Sequence, residues 1–211
     1  MQQVTYIMGA SGSGKTTRTR ELMASSPAGV MVISTDVIRA QLRGVLDRSG
    51  YPELWAESFD VPYANDCPGG GSPGADAGSD EPGLNVAGFA RQCAPVLHAV
   101  EAGVAYALTE GCDCIVEGVH LVPGWFALPP AGDDLNITAE LRVVRDEMAH
   151  RDLFADREKR TYGRRPAARY HEMIDNIRAV QTLLESRWHV WVPSVTPGVA
   201  CSVVEVVPRS S

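Results

Sequence analysis

Residues 9–16, Gly-Ala-Ser-Gly-Ser-Gly-Lys-Thr, carry the clearest chemical signal in the sequence. They fit the pattern G-x-x-x-x-G-K-[ST], in which glycines let backbone N–H groups turn inward around a phosphate. Lys15 is expected to reach the β- and γ-phosphates of ATP, and the Thr16 hydroxyl is expected to bind Mg²⁺. The predicted nucleotide contacts are Gly9, Ser11, Gly12, Ser13, Gly14, Lys15, Thr16 and Thr17.

The segments on either side of this loop support the same interpretation. Residues 4–8 form a short apolar run typical of a buried strand, and residues 17–24 tolerate a helix. Phosphate binding requires this order of strand, glycine loop and helix, because it places the positive dipole end of the helix N-terminus beside the phosphate. The alternative is a Gly/Ser-rich turn that matches the pattern by chance.

Two acidic residues follow apolar runs that are predicted to be strands. Asp36 follows the run at 29–34 and starts a predicted helix, so it is expected to orient and deprotonate an acceptor hydroxyl. Its alternative role is a plain helix N-cap. Glu117 directly follows the apolar run at 114–116, a position where an acid can bind Mg²⁺ through water. Its alternative role is that of a solvent-exposed acid at the end of a strand. His120 is interpreted as a structural loop histidine that could also donate a hydrogen bond to substrate.

An arginine-rich segment lies between the fourth strand and the last long helix. Arg157, Arg160 and Arg164 have i, i+3, i+7 spacing and are predicted to share one helix face, with Arg165 directly after them. Such arginines could close over the phosphates as a mobile lid at about 146–166 and stabilise charge in the transition state. Interleaved acids make a solvated, ion-paired surface the alternative.

The remaining pattern predicts alternating strands and helices. Strands are predicted at residues 4–8, 29–34, 114–118, 137–144 and 190–192, and the tail at 199–207 could pair as an edge strand. Helices are predicted at 36–46 with Thr35 or Asp36 as cap, at 87–110, at 146–163 and at 166–188 with Pro166 first. Residues 52–59 are expected to hold a helical turn. A Gly/Pro-rich insert at 60–85 offers almost nothing to bury and is expected to be a passive surface loop.

Composition narrows the function classes further. The net charge of −7 argues against a general nucleic-acid binder, so nucleic acid is an unfavoured partner. No apolar run is long enough to cross a membrane, which predicts no membrane partner. The five cysteines form no zinc spacing, and their odd number is typical of free thiols in a reducing compartment, so a cytoplasmic protein is expected.

Several longer motifs resemble the 2-phosphoglycerate kinases. They are Gly-Phe-Ala-Arg-Gln at 88–92, Glu-Gly-Val-His-Leu-Val-Pro-Gly at 117–124, Asp-Glu-Met-Ala-His-Arg at 146–151 and Arg-Arg-Pro-Ala-Ala-Arg-Tyr at 164–170. The resemblance covers roughly residues 3–60 and 84–195 and has no counterpart for the insert. It implies an α/β fold, a P-loop kinase-type three-layer sandwich with a five-stranded, mostly parallel sheet. A single domain at 1–211 with a helical, arginine-rich lid is expected.

The resemblance also implies ATP-dependent phosphorylation of the free hydroxyl of 2-phosphoglycerate, giving 2,3-bisphosphoglycerate. A closely related phosphorylated or carboxylated hydroxy compound would suit the same residues. Such a small anionic substrate needs cations, so Arg39 and Arg43 are candidates for holding it. Asp36, Glu117, His120 and Arg165 complete the predicted substrate site, and Lys15, Asp36, Arg160 and Arg164 are the predicted catalytic residues.

Two other function classes stay open on the sequence alone. A polynucleotide or RNA kinase can share the same loop and base, but it needs a basic groove for the strand. A nucleotide-dependent regulatory switch would need a partner surface and would transfer nothing to a metabolite. The oligomeric state is unknown from the sequence.

Overall fold

The computed structural model describes residues 1–26, 29–61, 84–130, 132 and 134–208. Its centre is a sheet of five strands in the order β2-β3-β1-β4-β5, with every neighbouring pair parallel. The strands are β1 (Gln2–Met8), β2 (Val30–Ser34), β3 (Asp113–Gly118), β4 (Leu135–Val143) and β5 (Ala200–Glu205). The expected α/β fold of the P-loop kinase type is confirmed, and its sheet is wholly parallel.

Six α-helices connect and cover these strands in the described part of the chain. They are α1 (Lys15–Ser25), α2 (Thr35–Val45), α3 (Val86–Thr109), α4 (Glu147–Arg160), α5 (Ala167–Glu172) and α6 (Ile174–Trp191). Short 3₁₀ helices span Pro52–Trp55 and Val192–Ser194. Strand β1 is buried over its last five residues, because a central parallel strand has both faces covered. The core between sheet and helices therefore fixes the carboxyl ends of β1 and β3.

Those two strand ends bring separate parts of the sequence together. Met8 pairs with Gly118, and Ser34 of β2 pairs with Glu117 of β3. The loop after β1, the acid of β3 and the start of α2 therefore lie at one edge of the sheet, where parallel α/β sheets bind ligands.

The predicted strand at 190–192 is wrong. These residues end α6 and begin the following 3₁₀ helix, and Trp188 and Trp191 are buried on the helix. An apolar run this short fits a buried helix end as well as a strand. The tail supplies the fifth strand instead, because β5 pairs in parallel with β4 from Thr138↔Ala200 to Val143↔Glu205, at the edge of the sheet.

The single helix predicted at 166–188 is two helices. Met173 separates α5 from α6 with φ −103° and ψ 18°, and Pro166 is the N-cap of α5 rather than its first residue. Most of the 60–85 insert, residues 62–83, lies outside the described residues. Its described borders belong to the core, because Val61 and Leu84 are buried. Asn85 caps α3 by accepting a hydrogen bond from the Gly88 N–H at 2.9 Å.

Candidate active site

The phosphate loop (residues 9–14) has the backbone that its glycines allow. Gly12 and Gly14 have φ of +83° and +73°, values that side chains disfavour. A Cβ on Gly12 would lie 2.7 Å from the Phe154 ring and 2.9 Å from His150 Nε2, so this position has no room for a side chain. Helix α1 starts at Lys15 directly after Gly14, which turns the first N–H groups of the helix toward the loop.

Two distant side chains hold this loop from outside. Arg142 of β4 donates from Nε to the Ser13 carbonyl at 3.0 Å, and His150 of α4 bonds the Ser11 carbonyl through Nε2 at 2.7 Å. Glu140, buried on β4, orients Arg142 through an ion pair of 2.5 Å and also pairs with Arg18 at 3.1 Å. Neither Glu140 nor Arg142 was among the predicted site residues, because the sequence of a strand does not indicate which loop its polar side chains will meet.

Lys15, the first residue of α1, turns its side chain back toward the phosphate loop. Its Nζ donates to the Ala10 carbonyl at 2.8 Å. Burial lowers the pKa of Lys15 below its usual value, while the carboxylates of Glu117 and Asp36 act in the opposite direction and Arg142 adds to the decrease. Lys15 is therefore close enough to Glu117 and Asp36 for their negative charges to affect its pKa. Thr16 follows it as an exposed residue in the first helical turn, and Thr17 is half-buried.

Asp36 is the second residue of α2, and Ser34 occupies the N-cap position. No side chain caps this helix by a hydrogen bond, so the alternative of a plain capping aspartate does not describe Asp36. Its side chain is 67% exposed, and it comes within 4.0 Å of Arg39. An exposed carboxylate at a helix start, near Lys15, is free to accept a proton from a bound hydroxyl.

Glu117 is half-buried at the carboxyl end of β3, level with Ile7 and Ser34. Because it pairs with Ile7, two residues before the loop begins at Gly9, Glu117 lies at the edge of the sheet that carries the phosphate loop. Within the described ranges, no group of three or more His, Cys, Asp or Glu residues could hold a metal by itself. Thr16 and Glu117 provide the hydroxyl and carboxylate oxygens that Mg²⁺ prefers, and phosphate oxygens would complete its coordination.

His120 is fully buried and bonded to the protein through both ring nitrogens. Nε2 lies 3.2 Å from Gln92 Oε1, and Nδ1 lies 2.8 Å from Thr35 Oγ1. Gln92 turns its amide nitrogen to the carbonyls of Glu53 and Ala56, so Oε1 faces His120 and Nε2 must carry the proton. Burial lowers the pKa of His120 to about 3, which keeps the ring neutral. In this geometry His120 positions the start of α2, and a substrate bond would require breaking one of its contacts.

Arg39 and Arg43 lie one turn apart on α2, and both bond to protein groups. Arg39 is buried; it donates to the Ala56 carbonyl and lies 3.7 Å from Glu57. Arg43 donates to the Leu54 carbonyl at 2.6 Å. Glu57 also pairs with Arg169 of α5 at 2.8 Å, so one carboxylate joins guanidinium groups from two parts of the sequence. Arg169 belongs to the arginine-rich motif at 164–170 but was not named among the predicted site residues, and no motif singled out Glu57.

The predicted lid arginines are exposed. Helix α4 ends at Arg160, and a turn with positive φ at Tyr162 and Gly163 follows, so the helix face predicted to include Arg164 is wrong. Arg160 donates to the Asp156 carbonyl one turn back. Arg164 and Arg165 form no hydrogen bond or ion pair through their side chains within the described part of the chain. We call Arg160, Arg164 and Arg165 the arginine turn.

A wholly parallel sheet with a phosphate loop after its first core strand, an acid on the adjacent strand and Asp36 at the same edge defines a P-loop kinase-type protein. The AAA domain family matches residues 4–66. The chain is 29% identical over 187 residues to the 2-phosphoglycerate kinase of Methanothermobacter thermautotrophicus, covering 87% of this chain and 56% of that kinase. It is 31% identical over 186 residues to the one of Methanopyrus kandleri, covering 86% and 51%.

The Methanocaldococcus jannaschii 2-phosphoglycerate kinase is 35% identical over 121 residues, covering 57% of this chain and 35% of that kinase. The chain is homologous over most of its own length to curated 2-phosphoglycerate kinases. It spans about half the length of the curated relatives that it matches over most of its own length. No helix in the described residues is long and apolar enough to span a membrane.

Proposed function

We propose that this protein is an ATP-dependent kinase that transfers the γ-phosphoryl group to the free hydroxyl of a small phosphorylated hydroxy acid. The first candidate acceptor is 2-phosphoglycerate, with 2,3-bisphosphoglycerate as product. The observation that carries the proposal is the place of Asp36, which lies in the first turn of α2 at the strand edge that carries the phosphate loop and is 4.0 Å from the Arg39 guanidinium. A carboxylate between a phosphate site and a cationic group is the arrangement that phosphoryl transfer to an anionic alcohol needs.

The chain's own residues then divide the work of the transfer. Asp36 accepts the hydroxyl proton as the acceptor oxygen bonds to the γ-phosphorus and the bond from that phosphorus to the β–γ bridging oxygen breaks. Lys15 and the N–H groups at the start of α1 stabilise the charge that moves onto the phosphate oxygens. Thr16 and Glu117 would hold Mg²⁺, which would supply further positive charge at the phosphates.

The acceptor carries a carboxylate and a phosphate, and the structure offers guanidinium groups for both. Arg39 is buried, and its Nε has no hydrogen-bond partner among the described residues, so it retains a donor for a ligand. Arg169 pairs with the other carboxylate oxygen of Glu57. Guanidinium groups recognise carboxylate and phosphate through paired hydrogen bonds, which favours an acidic acceptor over a neutral sugar or alcohol.

The proposal is tested by ATP turnover with three acceptors on the full chain: 2-phosphoglycerate, 3-phosphoglycerate and an oligonucleotide with a free 5′-hydroxyl. We expect phosphorylated product, identified by mass, only from 2-phosphoglycerate or a near analogue in a wider panel of hydroxy acids. Transfer to the oligonucleotide would support a polynucleotide kinase instead. ATP hydrolysis that no acceptor changes, with no phosphorylated product, would support a regulatory switch and overturn the kinase proposal.

A further inference from the structure

Three aromatic rings and one guanidinium group form a continuous stack between α4 and α5. The rings of His150 and Phe154 are 5.1 Å apart and nearly parallel at 12°. Phe154 and Tyr170 are 4.7 Å apart at 10°, and the Arg157 guanidinium lies 5.2 Å from the centre of the Tyr170 ring. We call these four residues the aromatic stack. His150 and Phe154 have no exposed surface, so the inner end of the stack is rigid packing.

The inner end of the aromatic stack touches the phosphate loop. His150 Nε2 lies 2.7 Å from the Ser11 carbonyl oxygen, and a carbonyl oxygen only accepts, so Nε2 carries the proton and donates. Nδ1 is buried and has no hydrogen-bond partner among the described residues, which makes Ser11 the only polar contact of the ring there. Burial lowers the pKa of His150, which is consistent with a neutral ring.

The same two rings lie directly under the next residue of the loop. A Cβ on Gly12 would approach the Phe154 ring to 2.7 Å and His150 Nε2 to 2.9 Å. The loop backbone therefore rests on the ring edges at van der Waals distance, with the Ser11 carbonyl turned toward His150. A carbonyl held on this side leaves the loop's N–H groups free to face a phosphate, whereas a carbonyl turned inward would repel it.

We propose that His150 is a positioning residue for nucleotide binding, which holds the Ser11 carbonyl outward and thereby keeps the phosphate loop in its anion-binding conformation. Phe154 supports the imidazole from behind. The proposal rests on the proposed function only in requiring that the loop bind ATP, and it is independent of which acceptor is used. It assigns a role to the His of the Asp-Glu-Met-Ala-His-Arg block, to which the sequence pattern gave none.

Two substitutions at His150 separate hydrogen bonding from packing. His150→Phe keeps a planar ring on Phe154 and removes the donor, whereas His150→Gln keeps an N–H donor and removes the ring. The dissociation constant of ATP with Mg²⁺ is measured by calorimetry without acceptor, together with the melting temperature of each variant. We expect His150→Phe to weaken ATP binding about tenfold, the size of one lost hydrogen bond, and His150→Gln to stay within about threefold of wild type. His98→Phe, on the exposed surface of α3, is the matched control and should leave binding unchanged.

A purely structural role would give a different result, in which both His150 variants lose melting temperature and the folded fraction binds ATP normally. Unchanged ATP affinity in folded His150→Phe overturns the proposal. If that variant does not fold, Phe154→Leu decides, because it withdraws the support and keeps the donor. We expect it to weaken ATP binding about fivefold, more than the change allowed for His150→Gln, and an affinity within about threefold of wild type also overturns the proposal. Wild-type protein that binds no ATP would instead refute the proposed function.

Discussion

The phosphate loop and the arginine turn differ in how the rest of the protein holds them. Three side chains from two separate elements contact the loop: Arg142 of β4 bonds Ser13, and on α4 His150 bonds Ser11 and Phe154 packs under Gly12. In the arginine turn, Arg160 bonds the backbone of its own helix, and all three side chains are exposed. One region is fixed before any ligand arrives, and the other has the freedom to take its position from a ligand.

This difference matches two different tasks in phosphoryl transfer. A loop that binds phosphates through backbone N–H groups loses affinity if it must reorganise, so prior ordering is favourable. Arginines that act only when donor and acceptor are both present gain from being free until the site closes. We therefore expect changes in the loop to abolish turnover, and changes in the arginine turn to lower kcat with little effect on ATP binding.

The largest effect is expected from Lys15→Ala. Removal of the charge near the β- and γ-phosphates should reduce phosphoryl transfer to background while the fold remains intact. The measurement is turnover with the best acceptor, together with the melting temperature. Lys159→Ala, at an exposed position on α4, is the control, since the sequence contains only these two lysines. Near-normal turnover in folded Lys15→Ala would contradict the assigned role of the loop.

Asp36→Asn should lower kcat by roughly 10²–10⁴-fold, the usual contribution of a general base, and leave ATP affinity nearly unchanged. Asp175→Asn is a matched control, because Asp175 lies in the first turn of α6 as Asp36 does in α2. The pair separates proton abstraction from the interaction of an acid with the helix dipole. Equal, small effects of the two substitutions would show that Asp36 has no catalytic role.

At least one Arg→Ala substitution in the arginine turn (Arg160, Arg164 or Arg165) should lower kcat by more than about tenfold, which corresponds to about 1.4 kcal/mol. An interaction made mainly in the transition state lowers kcat and kcat/KM together, and ATP affinity without acceptor should change much less. Arg20→Ala, on the exposed face of α1, provides the baseline. If all three variants keep the wild-type kcat, the arginine turn is a solvated surface.

Glu117→Gln should raise the Mg²⁺ concentration needed for half-maximal turnover by several-fold, because a neutral amide holds the water shell of the metal less well. The measurement is turnover as a function of Mg²⁺ at saturating ATP. Glu110→Gln, exposed at the end of α3, is the comparison variant. Identical Mg²⁺ titrations of wild type and Glu117→Gln would exclude Glu117 as a metal partner.

The smallest effect on turnover is expected at His120, and its signature is the pH dependence of stability. Its pKa of about 3 in the folded protein lies below the value of about 6.5 for an unfolded histidine. The unfolded state therefore binds the extra proton, and the stability that His120 contributes is complete above about pH 6.5 and declines as the pH falls toward 3. His120→Gln should flatten the slope of unfolding free energy between about pH 7 and pH 4, measured by urea denaturation.

His98→Gln on the exposed face of α3 is the control for this measurement, and it should keep the wild-type slope. His150 is also buried with a lowered pKa, so some slope should remain in His120→Gln. A slope as steep in His120→Gln as in wild type would contradict the neutral, hydrogen-bonded state of His120.

The sequence predicted most of the sheet because parallel core strands contain short, nearly continuous apolar runs. The β1 and β3 strands were found in this way, and so was the long helix α3. Predictions were wrong where the local sequence pattern fits more than one structure. Residues 190–192 were predicted as a strand because three apolar residues fit a strand or a buried helix end. The break between α5 and α6 at Met173 was not predicted because no proline or glycine lies there.

The phosphate loop was determined by the sequence alone, because all of its functional atoms belong to consecutive residues whose glycines set the backbone. The partners of that loop were decided only by the tertiary structure. Along the sequence, His150 and Ser11 are 139 residues apart, Arg142 and Ser13 are 129 residues apart, and Glu57 and Arg169 are 112 residues apart. Spacing along a chain carries no information about such contacts, because they depend on strand order and helix packing. The sequence thus specified what the loop binds, and the fold specified which distant residues hold it in position.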